Sequence, residues 1–172
     1  MYLKAIIGVL IFLAIAALYA FEVPWFSNTF DSMYLFFRAL LIGGVAGFVV
    51  GRYLKDRTEL PEERIGILVG CVIVGMVIFP LIAIISNRKI SIGEPLSMKV
   101  KYMRREQITT NRFGVIKNAQ DNVDAVYTYF LKDNEPQRIR TKKVIFEDAD
   151  KGTEVELPVK KGLWGFYVVD VK

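Results

Sequence analysis

The chain has no histidine and one cysteine among its 172 residues. Without imidazole it lacks the commonest general base and the commonest neutral metal ligand. A lone thiol, Cys71, closes no intramolecular disulfide and excludes zinc or iron–sulfur sites built on several cysteines. Because it lies inside an apolar run, Cys71 reads as a small packing residue. Gly-rich phosphate loops and nucleophile elbows are also missing. Charge is scarce as well, but only in one half. Up to Ile85 there are six Lys/Arg and six Asp/Glu, whereas the remainder carries seventeen and twelve. The whole net charge of +5 therefore belongs to the C-terminal half, which argues for two regions. These gaps imply no cofactor and no metal, and the chain reads as non-enzymatic.

What the sequence has in excess is apolar residues, 53% of the total, gathered into three runs. Ala5 to Phe21 follows a short charged opening and makes a helix of ~26 Å, enough to cross a thin hydrocarbon core. A secretory signal peptide opens in the same way, but this run is longer than a usual h-region, so it is expected to be a retained span. Met33 to Tyr53 makes ~31 Å, and Ile65 to Ile85 adds a third run without a charge. The expected fold is thus a membrane α-helical region over 1–85, with spans near 5–21, 33–53 and 65–85. A linker over 86–95 and a small extramembrane all-β domain over 96–172 follow it.

The connections carry their own signals. In Glu22–Ser32, Pro24 should stop the first helix, Trp25, Phe26 and Phe30 suit the headgroup boundary, and Asp31 or Ser32 can cap the next helix. Pro61 suits a first helical position, and Glu62 and Glu63 favour the positive end of the helix dipole. Arg52, Lys55, Arg57 and Arg64 cluster at the second-to-third connection, which has no counterpart in the first. Such an excess marks the cytoplasmic side. It places the N-terminus inside a bacterial-type inner membrane and the C-terminal domain outside, in the periplasm or beyond. Arg88, Lys89, Lys99, Lys101, Arg104 and Arg105 argue the other way, with less weight, since long domains translocate largely regardless of charge.

Within the second run Ala39, Gly43, Gly47 and Gly51 recur every fourth residue and share one side of a helix. Such a groove lets another helix approach closely, within the chain or from a second copy. Gly66 and Gly70 repeat the spacing in the third run and are its expected partners, while Cys71 and Gly75 make a second small pair. Pro80 should kink the last turns. Arg38 lies only ~7 Å along the axis from the start of its span, close enough to snorkel to the interface and meet Glu22 or Asp31. The alternative is a charge at a pore mouth.

From Leu96 onward the period becomes alternating. Leu96 to Tyr102, Phe113 to Ile116, Ala125 to Leu131, Arg138 to Phe146, Val155 to Val159 and Leu163 to Val171 read as about six strands of an antiparallel barrel or sandwich. Lys132–Gln137 is the expected turn of a hairpin, and Pro158 should mark an edge or bulge. Asp148-Ala-Asp150-Lys-Gly152 departs from a calcium loop in its glycine position and its missing final glutamate, so it reads as a turn. Glu154 and Glu156 share a strand face and are expected to pair across strands with Arg138 or Arg140. Arg138, Arg140 and Lys142 alternate as a cationic stripe for anionic lipid or an acidic protein surface; no nucleic-acid motif accompanies it.

Together these features imply an accessory or self-assembling membrane subunit, a homo-oligomer or part of a larger complex, whose β-domain docks or senses a partner at the bilayer surface. A small oligomeric channel with Arg38 near its mouth is the second class. A membrane-surface enzyme resting on generic carboxylates is the third.

Overall fold

A computed structural model describes residues 2–57, 60–109 and 123–170. The segment expected as a short strand at 113–116 lies outside the described residues. The rest divides into two units, one of helices and one built on a sheet.

In the helical unit the apolar runs become three helices, α1 (Tyr2–Phe26), α2 (Ser32–Lys55) and α3 (Pro61–Lys89). Two of them, α2 and α3, are long and apolar enough to cross a membrane. Helix α1 does not stop before Pro24: a proline so close to the C-terminus removes only one hydrogen bond from the last turn. Asp31 starts α2 in a way the sequence does not reveal. It sits at φ 54° without a side-chain cap, and its carbonyl accepts the N–H groups of Tyr34 (3.0 Å) and Leu35 (3.3 Å). Helix α3 begins on Pro61 and runs through Pro80 to Lys89, so it takes in the first residues of the expected linker. Glu22, near the end of α1, pairs at 2.7 Å with Arg88 near the end of α3. Glu22 was one of the two partners, with Asp31, that the sequence offered Arg38.

The sheet unit consists of Ser91–Lys172 and, unexpectedly, Pro24–Phe30, which covers the last turn of α1 and most of the connection after it. Strands β1 (Leu96–Thr109), β2 (Val123–Lys132), β3 (Glu135–Thr141), β4 (Glu154–Lys161) and β5 (Tyr167–Val169) form a curled antiparallel sheet in the order β3-β2-β1-β4-β5. Five strands are present among the described residues rather than about six. Strand β1 organises the curl. Its first half pairs with β4 and its second with β2, and a register shift at Met103 separates the two faces of the pattern. The β2–β3 hairpin turns on only two residues, Asp133 (φ 50°) and Asn134 (φ 65°). Both take the left-handed conformation that a tight hairpin turn demands and that Asp and Asn tolerate.

Strand β3 ends at Thr141 instead of continuing to Phe146, whose φ of 59° breaks an extended chain. The last strand is only Tyr167–Val169, because Trp164 and Phe166 sit in a turn closed by Gly162 and Phe166 at 2.9 Å. Pro158 lies in an interior strand, but opposite the end of β5, where its carbonyl accepts the Asp170 N–H at 3.0 Å. Its missing donor therefore faces a ladder that has already stopped. Alternate residues point inward, and Val100, Tyr102, Phe130, Ile139, Leu157, Val159 and Val169 make the core. Phe30 completes it at 3% exposure, so it is a core residue and not the interfacial ring the sequence suggested.

Candidate functional site

Three features stand out, one in the helical unit and two in the sheet unit. In the helical unit the stripe of α2 is buried from Leu35 through Ala39, Gly43 and Gly47 to Gly51, each four residues from the last. It meets α3 backbone to backbone. A Cβ on Gly43 would overlap the Gly75 carbonyl oxygen, and one on Gly47 would overlap that of Cys71. A Cβ on Gly51 would stand 3.0 Å from Leu68 Cα. Gly75 answers from the other side, with no room for a Cβ against the Gly43 carbonyl.

Gly66 and Gly70 are not in this seam, which corrects the expected pairing. A Cβ on either meets nothing within 4 Å. The reason is the 100° turn per residue: a face carrying Leu68, Cys71 and Gly75 turns 66 and 70 aside. Gly70 instead lines an apolar groove of about 470 Å³ beside Ala46, Val50, Ile67, Val74 and Ile78. Arg38, one residue round from buried Ala39, is exposed.

In the sheet unit the segment from Asn28 to Phe30 joins the two edges of the curled sheet. Phe30 donates its N–H to the Tyr167 carbonyl at 2.8 Å, and Val169 donates to the Asn28 carbonyl at 2.9 Å. These bonds extend the β5 edge. The Asn28 side chain then reaches the opposite edge. Its Nδ2 donates to the Arg140 carbonyl at 2.8 Å, and the Arg140 N–H donates to its Oδ1 at 2.7 Å. A side-chain amide carries the same donor and acceptor as a peptide, so one asparagine substitutes for a strand neighbour. Nothing in the local sequence Ser27-Asn-Thr-Phe30 announces this; its partner is 112 residues away.

The outer face of β1, β2 and β3 is a lattice of cations on rings. Register sets Arg104 beside Tyr129 and Tyr129 beside Arg138, with Glu106, Tyr127 and Arg140 in the next row. The guanidinium of Arg104 lies 4.7 Å from the Tyr129 ring centre, and that of Arg138 lies 4.6 Å from Tyr127. Arg140 approaches Trp25 at 6.0 Å. On the inner face, which it shares with Phe130, the Lys132 ammonium lies 5.3 Å from the ring of buried Phe30. Arg138, Arg140 and Lys142 thus stand on or just beyond β3, with Lys142 exposed.

Glu154 and Glu156 lie elsewhere. Strand β4 is not next to β3, and the two glutamates face Lys101 and Lys99 of β1 in register. Sequence alternation places side chains on faces but is silent on strand order. Near Glu154 a hollow of about 410 Å³ holds Lys99, Lys101, Asp133 and Asn134, acids and lysines together. Among the described residues no group of three or more acids or cysteines is placed to hold a metal. Comparison with protein-family models, curated proteins and solved structures finds no match, so function rests on this geometry.

Proposed function

We propose that the chain is a non-catalytic, membrane-anchored accessory subunit. Its helices span a bacterial-type inner membrane three times, and its sheet unit docks a partner at the bilayer surface. The observation that carries the reading is the insertion of Pro24–Phe30 into the sheet unit. The chain leaves that unit into α2 and returns to it from α3, while α1 ends at it. If α2 and α3 cross, both their sheet-side ends lie on one face of the bilayer, and α1 must approach from the same face or cross to it.

Burial supports a membrane for the helices. A core helix of a water-soluble protein is mostly covered, yet only 22% of the most apolar stretch of α2 and of α3 is buried. Leu41, Val45 and Ile65 are each more than 65% exposed. Apolar surface on this scale is tolerated in lipid and is an aggregation hazard in water. The basic α2–α3 connection then faces the cytoplasm, and the N-terminus with it.

The glycine stripe is occupied by α3 of the same chain. Assembly with other subunits therefore uses other surfaces, such as the exposed apolar face of α2 at Leu41 and Val45. Alkaline carbonate washing of native membranes, followed by photo-crosslinking from Val45, tests the reading. The chain should stay in the membrane and give one discrete product. A chain released by carbonate, or an embedded one giving only diffuse labelling, would overturn it.

A further inference from the structure

We propose that the flank of the sheet unit bearing Arg138 and Arg140, with Lys142 beyond them, docks anionic phospholipid headgroups. The inference rests on the membrane reading above and assigns its docking surface one kind of partner. Three observations carry it.

The first is how the guanidiniums are held. Arg138 and Arg140 lie against Tyr127 and Trp25 by their charged ends. Among the described residues no carboxylate is within ion-pair distance of either. A guanidinium that meets a ring and no carboxylate keeps its charge and its N–H donors, whose fork fits two phosphate oxygens. The charge is positioned and not neutralised.

The second is which ring lies under Arg140. Trp25 sits in the last turn of α1, two residues past Val23, where the apolar stretch of that helix ends. A residue this close in sequence to a membrane span lies within a few ångström of the headgroups, since the chain advances at most ~3.5 Å per residue. Arg140, packed on that ring, is brought to the same depth.

The third is charge complementarity along β3. Its outward residues Arg138 and Arg140, with Lys142 beyond, carry no acid between them. Cations near an anionic surface each favour it by an amount equivalent to roughly fivefold in partition.

Lipid retention by the full-length chain tests the site. The protein is reconstituted in nanodiscs of mixed phosphatidylcholine and phosphatidylglycerol, extracted into mild detergent, and its co-purifying lipid counted by native mass spectrometry. Wild type should be enriched in phosphatidylglycerol over the bulk mixture. In the Arg138→Gln/Arg140→Gln double variant the enrichment should fall several-fold, and Lys151→Gln, in an exposed turn, should keep it. Both arginine side chains lie on the outer face, so circular dichroism should show an unchanged fold. Raised salt should lower wild-type enrichment towards that of the double variant. Equal enrichment in both proteins would overturn the proposal. So would a double variant that keeps its lipid but loses a bound acidic protein. A chain that carbonate strips from membranes overturns the membrane reading and this proposal together, whereas a firmly embedded chain without lipid preference overturns this proposal alone.

Discussion

Replacing Asn28 with alanine should cost the sheet unit about 2–3 kcal/mol. The side chain is buried, at 8% residue exposure, and makes two short bonds, to the carbonyl and the N–H of Arg140. Each such bond contributes about 1 kcal/mol net, and stranding a buried backbone group adds roughly 1–3 kcal/mol. Arg140 is half-buried, so water recovers part of that penalty and the lower end applies. A unit of this size is stable by about 5–10 kcal/mol, so one asparagine decides a large fraction. Both tryptophans, Trp25 and Trp164, belong to the sheet unit, so urea titration followed by tryptophan fluorescence reads its unfolding and not that of the helices. Hydrogen exchange locates the effect, because the Arg140 amide should lose protection while amides of the β1–β4 ladder keep theirs. Ser97→Ala, which removes an exposed 3.0 Å hydrogen bond to Glu156, is the control and should change little. If Asn28→Ala unfolds within about 0.5 kcal/mol of wild type and Arg140 remains protected, the side chain does not join the edges and the reasoning fails.

Other predictions follow from the same geometry. A fragment starting at Ser91 lacks Asn28–Phe30 and should lose both edge bonds and the burial of one phenylalanine, worth about 1.5–3 kcal/mol by itself; a synthetic peptide covering 24–30 should restore part of the lost stability in a thermal melt. Gly47→Leu must push α2 away from the Cys71 carbonyl, so it should sharply reduce the yield of folded chain in detergent, whereas Gly8→Leu, where a Cβ meets nothing, should not. Gly70→Ala, with open space at its Cβ, should be neutral or raise the melting temperature, since alanine favours a helix by up to about 1 kcal/mol. Asn134→Gly relieves a left-handed residue in the β2–β3 turn and should stabilise the sheet unit by roughly 0.5 kcal/mol in the same urea titration.

The parts of this fold that were legible are those written in local period. Three apolar runs became three helices with ends shifted by a few residues, and the alternating stretches among the described residues became strands, the last of them only three residues long. The four-residue stripe pointed to a buried face of α2, because spacing alone fixes which residues share a helix side. What spacing cannot do is choose between faces that are both lined with small residues. Gly66 and Gly70 were as good as Cys71 and Gly75 on the page, and only the packed backbone selects the second pair. Long-range pairing was equally hidden. Strand β4 returns beside β1, so Glu154 and Glu156 meet lysines where arginines were expected. Phe30 looked like an interfacial ring because its neighbours in sequence are apolar helices, yet it packs in the core cluster with Val100, Phe130 and Leu157. A short aromatic segment between two apolar helices gives no hint that a sheet far along the chain needs it.

The central claim is that Pro24–Phe30 and the sheet lie together on one side of a bilayer, with the α2–α3 connection and the N-terminus on the other. A Cys71→Ser background carrying a single new cysteine at Asn134 or Asp56, or an N-terminal epitope tag, measures this with an impermeant reagent on intact cells and on inverted vesicles. The account predicts that Asn134→Cys labels only from outside, and that Asp56→Cys and the tag are reached only from the cytoplasmic face. Labelling of the Asn134 and Asp56 positions from the same face, or a tag on the side of Asn134, would contradict it.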